Sequence, residues 1–323
     1  TAFHLARRGA DHVEALMAPP ADLVISETQA GALEVCALSP TQLTGGGGLA
    51  SSYPLPWLPV LAQAGRSKPT GGQWLTADGW RRYLAGDTPS SSDLVASGDL
   101  WAIDPRVGVG LDAATRRASD GRLFSVQAVA LRKREHGKED KFDVGFLAAI
   151  TGVEPPAQGT LRLGGDGRAA AIHAVDYRPP EPDYAAIAAA GRCRLVLTSP
   201  GIFGSPLNSG DGSGMRAGWL PTGTRQAADG SLVFDLQGVR GRLVCAAVPR
   251  AEVVSGWNLA QWQPKPAQRA APTGSVYWLD ELEATPEALR KLAETGLWND
   301  PCEDPQRRTE GFNRVGIAAW PHP

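Results

Sequence analysis

Glycine and proline interrupt this chain 38 and 26 times in 323 residues, which excludes long helices over most of its length and dictates short elements joined by turns. One segment carries a full set of helix signals. In TPEALRKLAETGLW, Thr285 stands as N-cap, Pro286 fits the first helical position because its missing N–H would be unbonded there anyway, and Gly296 ends the run. TADGWRRYLAG reads as a shorter helix, capped by Thr76 and stopped by Gly86, with Trp80, Tyr83 and Leu84 on one face. The apolar, branched segments GRLFSVQAVALR, FDVGFLAAI, RCRLVLTSP, SLVFDLQGVRGRLVCAAV and SVYWL read as strands. TLRLGGDGRAAAIHAV reads as two strands joined by a glycine turn, and SYPLPWLP is extended because its prolines exclude helix. The proline-rich YRPPEPDY, Tyr177 to Tyr184, divides the chain into halves covering residues 1–180 and 185–323. The second half ends in the order strand, strand, strand, helix, glycine loop, strand, which fits the end of a ferredoxin-like sandwich.

With 42% hydrophobic and 20% charged residues, the chain has enough apolar matter for a sizeable core. No apolar run approaches the ~20 residues of a membrane span, and no signal-peptide pattern opens the sequence, so a cytoplasmic protein is expected. Cys36, Cys193, Cys245 and Cys302 are isolated, which argues against a zinc knuckle or a disulfide framework. Neither a metal nor a cofactor is expected. A net charge of -2 and a pI near 6.2 do not advertise a free nucleic-acid binder. The total hides a local patch: Arg106, Arg116, Arg117, Arg122, Arg132, Lys133, Arg134, Lys138 and Lys141 lie close together, while acidic residues gather elsewhere, as from Asp280 to Glu287. Such a run is either a solvated face or a phosphate-tracking surface. Because the first methionine is Met17, the natural product is expected to begin before Thr1 and the first half to be incomplete.

Four motifs stand out. SGWNLAQWQPKPAQRAAPTGSVYWL is neither clean helix nor clean strand; it offers Lys265 and Arg269 to phosphates, with Trp262, flanked by glutamines, as the exposed stacking candidate and Trp257 and Trp278 as core. RVGV sets Arg106 beside Gly108 and Gly110 at the end of a strand. LRLGGDGR reads as a plain turn flanked by Arg162 and Arg168, since nucleotidyl chemistry wants carboxylates that share cations and Asp166 is followed by Gly167. EGFNRVG places Arg314 in a loop where Gly311 and Gly316 permit tight backbone geometry. SPGIFGSPLNSGDGSG, Ser199 to Gly214, is a surface loop matching neither a P-loop nor a hydrolase elbow.

In that order, RVGVGLDAATRRASDGRLFSVQAVAL, LRLGGDGR, SGWNLAQWQPKPAQRAAPTGSVYWL and EGFNRVG resemble the RAMP-superfamily proteins that form subunit 3 of the Cmr complex, a type III-B CRISPR effector. The resemblance runs from PADLV at Pro20 to the last strand. It departs at the start, where family members ordinarily carry a first strand and helix with a proline-rich turn. The resemblance implies an α+β fold of two ferredoxin-like (RRM-like) domains with glycine-rich loops and insertions. It also implies a noncatalytic subunit that holds the 5′ handle of the crRNA and contacts the large polymerase-like subunit and a backbone RAMP subunit. The RNA-binding residues then expected are Arg106, Arg116, Arg117, Arg162, Arg168, Trp262, Lys265, Arg269, Gly311, Asn313, Arg314 and Gly316. The rival reading is a RAMP-superfamily endoribonuclease cutting CRISPR repeat RNA. It needs an acid–base residue, yet His4, His12, His136, His173 and His322 are scattered, and His173 lies in an apolar strand as a structural residue.

Overall fold

The computed structural model describes residues 2–9, 12–42, 53–63, 68–131, 142–164, 168–205 and 216–321. It is a strand-rich mixed fold centred on a six-stranded antiparallel sheet. Across that sheet run Thr224–Gln226, Leu232–Leu236, Val239–Ala247, Val276–Glu283, Cys193–Leu197 and Val315–Ala318. Every residue of Cys193–Leu197 is buried. That strand is apolar on both faces apart from Arg194, and both faces are covered. On one side Cys193, Leu195 and Leu197 pack with Tyr277, Leu279, Phe234 and the helical residues Ile187, Leu289 and Leu292. On the other, Val196, Val244, Val276 and Trp278 pack against Met17, Leu23, Trp80, Tyr83 and Leu84 of the first half.

Four of these strands stand, in chain order, as fourth, first, third, second: Val315–Ala318, Cys193–Leu197, Val276–Glu283, Val239–Ala247. The helix Pro286–Thr295 joins the third to the fourth, as a split β-α-β unit requires. Between the first and second of the four, however, the described residues hold no helix. They hold Phe203–Ser205, Arg216–Gly218, and two strands that lengthen the sheet edge. The helix beside Pro286–Thr295 is Tyr184–Ala190, which precedes the first of the four strands. Both helices predicted from caps form as read. Thr285 accepts from Ala288 N–H and Thr76 from Gly79 N–H. Gly296 has φ +80°, and a Cβ there would lie 2.7 Å from the Asn313 carbonyl oxygen, so the helix end closes onto the next loop only with glycine.

The first half contains several small sheets. Ala2–Arg8 lies between Val13–Leu16 and Asp143–Ala149, and Leu33–Gln42 between Leu23–Glu27 and Trp57–Leu61. Two hairpins stand apart, Trp101–Leu111 with Ala118–Leu131, and Gln158–Arg162 with Ala169–His173. His173 ends the apolar strand Ala169–His173 as read, paired with Gln158, and its side chain is exposed.

The prolines between the halves do not mark a gap in packing. Arg194, 1% exposed, donates to Asp22 of the first half at 2.7 Å, to the Tyr83 carbonyl at 2.9 Å and to the Ala319 carbonyl at 2.8 Å. Its guanidinium lies 4.1 Å from the centroid of the Tyr83 ring, whose hydroxyl also donates to Asp22. Burial pushes the Asp22 carboxyl up against the opposing pull of Arg194. No helix among the described residues is long and apolar enough to cross a membrane.

Candidate RNA interface

The segment Ser255 to Gln268 is irregular because its backbone carbonyls are gathered by one buried arginine. Arg307 sits in the short helix Pro305–Thr309 and is 4% exposed. It donates to the carbonyls of Ser255 (2.9 Å) and Pro266 (3.3 Å), to Gln268 Oε1 (3.0 Å) and to Glu310 (2.9 Å). Lys265 is ion-paired with the same Glu310. Burial pushes the Glu310 carboxyl up, but the hydrogen bonds and charges of Lys265 and Arg307 outweigh it and hold the group below its ordinary value. Lys265 thus supports the loop as an internal cation. At the tip, Trp257–Asn258 pairs with Gln263–Pro264, and Asn258 Oδ1 accepts from the N–H groups of Ala260 and Gln261. Trp278 is fully buried as expected. Trp257 is not core: it is 49% exposed and meets the exposed Trp262 edge to face at 6.0 Å. Arg269 is exposed, in the strand Gln268–Ala270, on the wall of a cavity of about 830 Å³ shared with Tyr53, Trp219 and Pro249.

The EGFNRVG loop serves as frame. Asn313 has no exposed surface and φ +59°; its Oδ1 accepts from Ile202 N–H at 2.6 Å, and its amide donates to the Ile202 and Leu297 carbonyls. So enclosed, the Asn313 side chain uses its amide to join the loop to Ile202 and Leu297. Gly311 is buried at the end of the Pro305–Thr309 helix, and Gly316 packs beneath Trp80, whose ring leaves 3.1 Å for a Cβ. Arg314 is half-buried and donates to the Glu294 carbonyl at 2.6 Å, with burial lowering its basicity. Beside this loop lies a cleft of about 660 Å³, lined by Phe312, Pro200 and Thr273 together with Phe3, Trp101 and Phe146.

The remaining candidates occupy the two hairpins. The Trp101–Leu111 and Ala118–Leu131 ribbon turns at Asp112, which accepts from Thr115 N–H (2.7 Å), Thr115 Oγ1 (2.8 Å) and Ala114 N–H (3.1 Å). The turn sets Arg116 at φ +53°, and both Arg116 and Arg117 are exposed, with no ion pair among the described residues. Arg106 is also exposed and is bonded to Asp104 at 2.7 Å. It stands in mid-strand, not at a strand end. The glycines of RVGVG have a packing reason: Phe124 lies across Gly108 and Arg122 across Gly110, where a Cβ would come within 2.4 and 2.9 Å of those side chains. The opposite face, carrying Ile103, Val107, Val109, Leu123 and Val129, is bare. Arg162 and Arg168 are exposed at the end of the second hairpin, where Leu163 N–H donates to the Arg168 carbonyl. Asp166 and Gly167, the basic run Arg132, Lys133, Arg134, Lys138 and Lys141, His136, His322 and residues 206–215 lie outside the described residues.

The structure therefore separates the expected set. Arg116, Arg117, Arg162, Arg168, Arg269, Arg106 and Trp262 are exposed; Lys265, Gly311, Asn313 and Arg314 frame the loops, and Gly316 stands in the strand Val315–Ala318, paired with Val196. Sequence reasoning missed Arg307, which looks like a surface cation in the charged run EDPQRRTE, and the bare ribbon face, whose apolar alternation reads the same whether covered or not. Among the described residues no group of three or more His, Cys, Asp or Glu is placed to hold a metal ion.

No curated protein matches the chain in sequence. Two solved structures are among those similar to it. One is the cryo-EM structure of the Type III-B Cmr-beta bound to cognate target RNA, with TM-score 0.38 and 11% identity over 86% of this chain and 64% of that one. The other is the Type III-B Cmr-beta bound to cognate target RNA and AMPPnP in state 1, with TM-score 0.38 and 11% identity over 91% of this chain and 69% of that one. The family model described as CRISPR-associated protein (Cas_Cmr3) matches residues 3–320. Matched from its first strand to its last, the chain belongs to this CRISPR-associated Cas_Cmr3 family.

Proposed function

We propose that this chain is a noncatalytic RNA-binding subunit of a cytoplasmic type III-B Cmr effector. In that complex it holds the 5′ handle of the crRNA and joins the large polymerase-like subunit to the backbone. The observation that carries the reading is the family match over residues 3–320. The fourth-first-third-second strand order supports a ferredoxin-derived unit in residues 185–323, with residues 1–180 as its partner unit. The surface supports a subunit as well. A two-stranded ribbon with one bare apolar face suits a chain that neighbours cover. Single-stranded RNA is held by cations spaced along its backbone, and of the expected residues Arg116, Arg117, Arg162, Arg168 and Arg269 are exposed without an ion pair among the described residues, while Arg106 is exposed but paired with Asp104.

The test reconstitutes the complex on its crRNA and measures retention over a salt series. Replacing each of the five free arginines by Ala in turn is expected to flatten the log–log slope by about 0.7 wherever one phosphate contact is lost. Unchanged slopes for all five would overturn the assignment of the surface. Labelled repeat RNA incubated with the isolated chain should remain intact with or without divalent metal. Metal-independent cutting abolished by one histidine substitution would replace this reading with the endoribonuclease.

A further inference from the structure

The Trp257–Trp262 tip is an apolar knob on a fixed base. Trp257 and Trp262 are 49% and 74% exposed, and Leu259 beside them is 75% exposed. The tip is preformed. Lys265 N–H donates to the Gly256 carbonyl at 2.8 Å, Ser255 Oγ donates to the Lys265 carbonyl at 2.8 Å, and Gln263 donates to Gln261 at 2.8 Å. Arg307 ties the base to the body of the protein. Trp262 holds φ +53°, a conformation that a bulky residue adopts only where its surroundings enforce it.

We infer that this knob seats in an uncharged apolar groove of a neighbouring protein subunit, an inference that rests on the chain being a Cmr subunit. The charges decide between protein and RNA. From Ser255 to Gln268 the only charged residue is Lys265, and Glu310 already neutralises its ammonium. Between Ser255 and Gln268 a stacked base would find no free cation for its phosphate; the next ones, Arg269 and Arg308, stand at the foot of the loop and not on its tip. The rings also meet at 87°, so they form no parallel slot for a base. Two tryptophans and a leucine without charge are instead the composition of an interface hot spot.

The experiment co-expresses the chain with the other subunits and crRNA of its own complex, and measures incorporation of Trp257→Ala, Trp262→Ala and the double variant. Because these side chains are exposed, each variant should keep the wild-type melting temperature. Incorporation of the double variant should weaken about thirtyfold while the salt slope of RNA retention stays as in the wild type. A photoreactive benzoylphenylalanine at position 262 should cross-link to protein. Cross-linking to crRNA, or a variant that assembles normally but loses RNA, overturns the inference in favour of base stacking. Normal assembly and normal RNA retention in the double variant overturn it outright. A wild-type chain that stays out of the complex overturns the subunit reading, and this inference with it.

Discussion

The EGFNRVG loop with its Ser255–Gln268 neighbour, and the Trp101–Leu131 ribbon, share one vocabulary: glycines, arginines and aromatic rings. They use it oppositely. In the first, Lys265 is neutralised by Glu310, while Arg307 and Arg314 donate to carbonyl groups and Asn313 staples two segments together. In the second, Arg116 and Arg117 project from a turn, and glycines serve to let Phe124 and Arg122 cross the strand. A glycine-rich loop is thus no evidence of an anion site by itself. What matters is whether its donors already have partners, because a satisfied donor has little left to offer a phosphate.

The largest effect that could break this contrast concerns Arg307. Its replacement by Met leaves the Ser255 and Pro266 carbonyls and Gln268 without their donor, and Glu310 with Lys265 alone. Removing one partner from such a buried network should cost about 3–5 kcal/mol, read as a large fall in denaturant midpoint at constant m-value. A loss below about 1 kcal/mol would mean that the arginine is not what holds the loop. Asn313→Ala comes next. It leaves the Ile202 N–H without its acceptor and asks alanine to hold a left-handed φ, so about 2–3 kcal/mol is expected by the same measurement.

How far the sequence could anticipate this follows from which residues act locally. Thr285, Pro286, Gly296, Thr76 and Gly86 set helix ends through bonds to chain neighbours, so both helices were legible. The order of the last strands was legible for the same reason, since each apolar run is bounded by its own turn. Neither the shared core nor Arg194 was legible, because Asp22 and Arg194 are 172 positions apart and nothing near either one announces the other. Trp257 was misplaced for a related reason: a large ring is usually buried, and only the three-dimensional turn shows it facing outward. For the candidate interface, residue types were readable while their partners were not, and the partners decide which cations are free.

At the ribbon the expected signs reverse. Arg116→Ala and Arg117→Ala should leave stability within about 0.5 kcal/mol, since both side chains are exposed and carry no ion pair among the described residues. In the reconstituted complex each should flatten the salt slope by about 0.7, whereas Lys265→Ala should leave that slope unchanged. If Lys265 alone moved the slope, the Glu310 pair would open on RNA binding and the contrast between the two regions would fail.

The smallest expected effect lies where the loop meets the first half. His4, on the wall of the Phe312 cleft, is disfavoured as a cation first by burial and then by the nearby charge of Arg314. Its folded-state pKa therefore lies below the ordinary 6.5. The unfolded chain takes up the proton more readily, so as pH falls through about 6.5 toward the folded-state value the protein loses stability, and above that window the contribution is fully present. Denaturant titrations at pH 7.5 and pH 5.5 should show a fall for the wild type that is smaller in His4→Gln, because glutamine keeps a polar side chain without the titration. The carboxylates of the chain also change protonation toward acid, so it is the difference between the two proteins that isolates His4. Equal falls in both would mean that the imidazolium is accommodated in the cleft, and that Arg314 is less closely applied to the first half than its half-buried position implies.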